Sequence, residues 1–118
     1  MGNKVLVVEE NKTLRVVLSF AFRSKGHATV LSADAETALA KLPGDSPDVV
    51  ICDVNLPGMD GAEFTHVVRS SPLLAHTPIV LLGDDDGSDE HAADAWVTKP
   101  FDPVEVVELA EKLASSAG

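Results

Sequence analysis

Asp53 closes the apolar run Asp48–Val49–Val50–Ile51–Cys52 and opens the turn-rich stretch Val54–Asn55–Leu56–Pro57–Gly58–Met59–Asp60–Gly61. A buried strand that ends on a carboxylate before Pro and Gly presents that carboxylate at a sheet edge, toward solvent and ligand. Two further strand ends carry charge. Lys4–Val5–Leu6–Val7–Val8 stops at Glu9 and Glu10, and Ala95–Trp96–Val97–Thr98 stops at Lys99–Pro100–Phe101. Carboxylates crowded in this way repel one another, and a divalent cation would relieve them.

The elements that must bring these residues together follow from periodicity. Apolar runs at 4–8, 28–32, 48–52, 78–82 and 95–98 are rich in Val, Ile and Leu without strict alternation, as parallel strands covered on both faces are. Between the first two, Leu14, Val17, Leu18, Ala21 and Phe22 have the spacing of an amphipathic helix's inner face. Asp34 caps a second helix with Ala38, Leu39 and Leu42 inward, ended by Pro43–Gly44. A third, near 62–70, turns Phe64, Val67 and Val68 to the sheet. The last has Asp102 as its cap, Pro103 in its first turn, Glu105 three residues after the cap, and a stripe of Val106, Leu109, Ala110 and Leu113. Strands alternating with helices predict an α/β, doubly wound, five-stranded parallel sheet. With strand order 2-1-3-4-5, all the carboxyl ends lie along one edge, where Glu9, Glu10, Asp53, Gly83–Asp84 and Lys99 converge.

At 118 residues the chain suits one domain, 1–118, with a single core. No apolar stretch approaches the ~20 residues that span a bilayer, and no signal-peptide layout is present at the amino terminus. One cysteine, Cys52, excludes an internal disulfide, fits a reducing cytoplasm, and reads as inert core. The formal charge of −10 argues against nucleic acid as a partner of this domain. His27, His66, His76 and His91 lack ligand spacing and read as surface residues.

Taken together, the motifs resemble the receiver domain of two-component response regulators, over nearly the whole chain. They are Val5–Leu6–Val7–Val8 with its acidic pair, Asp53 to Gly61, and Lys99–Pro100–Phe101. The resemblance implies a flavodoxin-like sheet and a signalling module, not an enzyme beyond self-phosphorylation and self-dephosphorylation. It implies that Asp53 takes a phosphoryl group from a histidine kinase or phosphotransfer protein and passes the signal to a protein partner or fused output domain. Glu9, Glu10, Asp53 and the backbone carbonyl of Asn55 then correspond to the cation ligands. Lys99 corresponds to the phosphoryl-contacting lysine, Trp96 to the switch aromatic, and Pro100 follows a cis peptide bond. Mg2+ suits such oxygen ligands and offsets the charge that opposes attack on a phosphoryl group.

Three departures stand out. Glu10 replaces the usual Asp, so weak Mg2+ binding is expected, with Mn2+ or Ca2+ comparable. Gly83 stands where the family has Ser or Thr, and Asp84 after it would repel a phosphoryl group; restoring Thr at 83 is expected to strengthen switching. The segment from Gly83 to Trp96 is too short for a full helix and its connections, so the helix between the fourth and fifth strands is expected to be shortened or missing. These departures favour unusual or weakened switching, and keep open the alternative of a pseudo-receiver that binds partners without phosphorylation. A dehalogenase-type hydrolase is disfavoured, because Asn55 stands where its general acid would be.

Overall fold

The computed structural model describes residues 2–84 and 92–117. Its strands are β1 (Lys4–Val8), β2 (Ala28–Ser32), β3 (Val49–Asp53), β4 (Ile79–Gly83) and β5 (Ala95–Thr98). Four helices are described: α1 (Lys12–Ser24), α2 (Ala35–Asp45), α3 (Gly61–Ser70) and α4 (Pro103–Ala117). The sheet is parallel throughout, in the order β2-β1-β3-β4-β5. β3 and β4 begin one residue later than the apolar runs, which makes Asp53 and Gly83 the last residues of their strands. Among the described residues, no helix is long and apolar enough to cross a membrane.

Side chains alternate across the sheet and fill two cores. Leu6, Val8, Val50, Cys52, Ile79 and Leu81 meet α2 and α3 through Leu42, Phe64 and Val68. Val5, Val7, Val49, Ile51, Val80 and Leu82 meet α1 and α4 through Leu18, Phe22 and Val106. The central strands are thus buried on both faces, which is why their sequences lack a polar alternation.

Two inward assignments are corrected. Val17 is 40% exposed and Val67 43% exposed, while Ser19 and Thr65 are buried. Both of these hydroxyls have partners: Ser19 Oγ pairs with Thr29 Oγ1 at 2.8 Å, and Thr65 Oγ1 donates to the Gly61 carbonyl at 2.8 Å. A satisfied hydroxyl can occupy an inner position that periodicity assigns to a valine. α2 also runs through Pro43–Gly44 instead of ending there. Pro43 forfeits one helical hydrogen bond near the end of the helix, and the stop comes from Ser46, left-handed at φ 43°.

His27 is buried, against the surface expectation. Its Nδ1 accepts from the Asn3 N–H at 2.9 Å and its Nε2 pairs with Glu111 Oε2 at 2.7 Å, tying the start of the chain to α4. His66 and His76 are exposed, and His91 lies outside the described residues.

Residues 84–94 alone join β4 to β5. The expected loss of a helix there falls on residues 85–91, outside the described residues; Asp84 and residues 92–94 are not helical. Arg69, on the last turn of α3, clamps the return. Its guanidinium donates to the carbonyls of Ala92 at 3.0 Å, Ala75 at 3.1 Å and Thr77 at 2.7 Å, and to Asp94 Oδ2 at 2.7 Å. Asp94 Oδ2 also accepts the Ile79 N–H at 2.8 Å.

Candidate functional site

The parallel sheet delivers the charged strand ends to one cleft, lined by Glu9, Glu10, Asp53, Asn55, Asp84 and Lys99 with the first turns of α1. Asp53 is buried and both its oxygens are held. Oδ1 accepts the Asn55 N–H at 2.8 Å, and Oδ2 accepts from Lys99 Nζ at 2.6 Å. Burial works against the Lys99 charge, but the hydrogen bond to Asp53 and the carboxylates of Asp53, Glu9 and Asp84 outweigh it, so the ammonium is held above its ordinary value. The Lys99–Pro100 peptide is cis.

The acidic pair divides into unlike partners. Glu10 is exposed, whereas Glu9 is 2% exposed. Glu9 Oε2 accepts the Asn11 N–H at 3.0 Å, but Oε1 is buried and takes no donor. Burial, first, and the neighbouring Asp53 carboxylate push Glu9 up to about 7. An orphaned carboxylate oxygen beside a second carboxylate suits a proton or a hard cation. Among the described residues, no three carboxylate, imidazole or thiolate groups are already arrayed about one point. The oxygen donors therefore fit a cation after side-chain adjustment, with Glu9 the preplaced one.

Around this centre lie residues that spacing alone does not single out. Arg15 Nη1 donates to the carbonyls of Glu9 at 2.6 Å and Glu10 at 3.1 Å, pinning the backbone of the acidic pair from one turn into α1. Gly61 lets α3 start hard against the end of β3, since a Cβ there would lie 2.6 Å from the Asp53 carbonyl. Asn55 Nδ2 donates to Asp84 Oδ2 at 2.8 Å, so the side chains of Asn55 and Asp84 join across the rim. Asp84 is exposed there, where the sequence puts a negative charge near any incoming anion.

A family model described as the response regulator receiver domain matches residues 5–111. The chain belongs to this family. It is 34% identical over 112 residues to the alkaline phosphatase synthesis transcriptional regulatory protein PhoP of Bacillus subtilis, covering 90% of this chain and 46% of that regulator. It therefore spans about half of that relative's length. Against PilG of Pseudomonas aeruginosa it is 27% identical, covering 90% of this chain and 83% of that protein. Chemotaxis response regulator CheY4 of Vibrio cholerae superposes with a TM-score of 0.88 at 30% identity, covering 96% of this chain and 99% of that one. The receiver domain of sensor histidine kinase PA1611 from P. aeruginosa, solved with magnesium in its active-site cleft, gives 0.87 at 25% identity, covering 98% of this chain and 99% of that one.

Within this receiver domain, position 83 requires a correction. Trp96 is half-buried against the α2/α3 core, and its ring lies across Gly83, so that a Cβ at 83 would overlap it. Threonine cannot be restored there with the ring in place. At the end of β4, a glycine covered by an indole stands where the resemblance implies a hydroxyl.

Proposed function

We propose that Asp53 accepts a phosphoryl group from a phosphohistidine of a sensor kinase or phosphotransfer protein. The observation that carries this reading is the pair of contacts on Asp53. The backbone N–H of Asn55 fixes Oδ1, while Oδ2 is held by an ammonium on a flexible stem. Oδ2 attacks phosphorus as the donor's P–N bond breaks and the imidazole leaves with the electron pair. Lys99 follows the charge onto the phosphoryl oxygens. Glu9, Glu10, Asp53 and the Asn55 carbonyl would hold Mg2+, which when bound supplies charge neutralisation for an anionic group approaching carboxylates. In a protein treated with acetyl phosphate and Mg2+, mass spectrometry should find one added phosphoryl group on wild type and none on Asp53→Asn. Phosphorylation persisting in that variant overturns the assignment. No gain in either supports the second reading, a phosphorylation-independent interaction module, which the carboxylate of Asp84 on the rim favours.

The partner's footprint falls on α1 and the groove beside it. Val17, Phe20 and Val104 are exposed apolar side chains on the adjoining faces of α1 and α4, with Phe20 73% exposed. Val17 lines both the groove between these helices and the Asp53 cleft. α1 carries Lys12, Arg15 and Arg23 and no carboxylate, in a chain of net charge −10. A protein that brings phosphorus to Asp53 must cover the cleft, and an acid-rimmed apolar helical surface would complement the adjoining face. Phe20→Asp should slow phosphotransfer from a protein donor at least ~10-fold, the loss of one central apolar anchor, while leaving acetyl phosphate labelling unchanged. Equal slowing with both donors would count against a docking role.

A further inference from the structure

Gly83 and Trp96 form one packing unit. They stand on neighbouring parallel strands, with Leu81 opposite Trp96 and Gly83 opposite Thr98. The indole reaches forward across Gly83: besides the overlap at Cζ2, a Cβ at 83 would lie 2.7 Å from Cη2 and 3.0 Å from Cε2. The ring therefore occupies the volume that any side chain at 83 would need, and its inner edge joins the core of Cys52, Phe64 and Leu81. The same glycine anchors the site, because its carbonyl accepts the Lys99 N–H at 2.7 Å and Lys99 Nζ holds Asp53.

A switch needs two arrangements of comparable free energy. Swinging the indole out would open a cavity over Gly83 that the glycine itself cannot fill, and an unfilled cavity lined by core side chains is costly. Glycine offers no side chain to take the ring's place, so nothing at position 83 favours an outward arrangement. We propose that Gly83 is a socket that holds Trp96 inward whether or not Asp53 is modified, so that this edge of the sheet is a fixed surface and not a moving reporter. The second half of this statement rests on the reading of Asp53 as the acceptor.

Trp96 is the chain's single tryptophan, so its emission reports the ring directly. Gly83→Ala should displace the ring, shifting the emission maximum to the red and lowering the melting temperature by about 5–15 °C, the scale of overpacking in a small domain. In a Trp96→Ala background the same change should cost little, which separates a steric clash with the ring from a backbone requirement at 83. Wild-type emission and melting in Gly83→Ala, or an equal loss in both backgrounds, would overturn the socket. In wild type, beryllofluoride with Mg2+ should raise the melting temperature without moving the emission maximum. A raised melting temperature with a shifted maximum refutes the fixed ring and leaves Asp53 as acceptor. No rise in melting temperature refutes the Asp53 reading, and with it the second half of the proposal, while the alanine variants still decide the socket.

Discussion

Arg69→Ala should lower the stability of this domain by about 3 kcal/mol, measured by urea denaturation, since it strips donors from several partly buried acceptors at once. The ion pair is a minor part of that figure. Asp94 is two-fifths exposed, and a pair of this kind is worth little after screening. The carbonyls of Ala75, Thr77 and Ala92 matter more, because the planar guanidinium serves the loop before β4 and the approach to β5 together. Lysine offers one charged point in place of that fork, so Arg69→Lys should recover less than half of the loss. A loss below ~1 kcal/mol for the alanine variant would mark Arg69 as an ordinary surface residue.

Glu9 should make the metal-free protein less stable as pH rises. The side chain ionises at its ordinary value of 4.5 when unfolded and near 7 when folded. Between those values the folded state binds the proton more tightly, so this group's contribution is full below about 4.5, falls as pH rises, and is lost above about 7. A shift of this size corresponds to at most about 3 kcal/mol, less whatever solvent screening removes. With EDTA present, Glu9→Gln should abolish that fall and be more stable than wild type at pH 8 by an amount of this order, because its neutral amide can also donate to Asp53. Saturating Mg2+ should narrow the difference by relieving the wild-type carboxylates. An unchanged dependence on pH in the variant would show that the slope comes from other groups.

The strand ends were legible because a buried parallel strand announces itself by composition and its terminal charge by contrast. Asp53, Lys99 and the acidic pair all reached the expected edge for that reason. What stayed hidden depends on partners far away in the chain. Glu9 and Glu10 are adjacent in sequence, yet one is buried and one exposed, and no local pattern distinguishes them. Arg69 reads as a charged residue near a helix end until the carbonyls it reaches, in two separate loops, are folded around it. Val17 left its expected inner face, and Ser19 is buried instead with its hydroxyl satisfied by Thr29 on β2. Position 83 shows the same limit: glycine there reads as a missing hydroxyl, and its receptive role appears only with the indole in place.

The thiol of Cys52 bears on the chemistry of its neighbour. An acyl phosphate is an activated carboxyl group, and a thiolate beside it would attack the carbonyl carbon, expel phosphate and leave a thioester. Strand alternation turns the Cys52 side chain into the α2/α3 core, away from the cleft that Asp53 lines. Burial, first, and the nearby carboxylates push its ionisation far up, so the nucleophilic form is withheld. If Asp53 is phosphorylated as proposed, a reactive pair contiguous in the chain is thereby chemically insulated, and the lifetime of the acyl phosphate is left to water and to the residues on the rim.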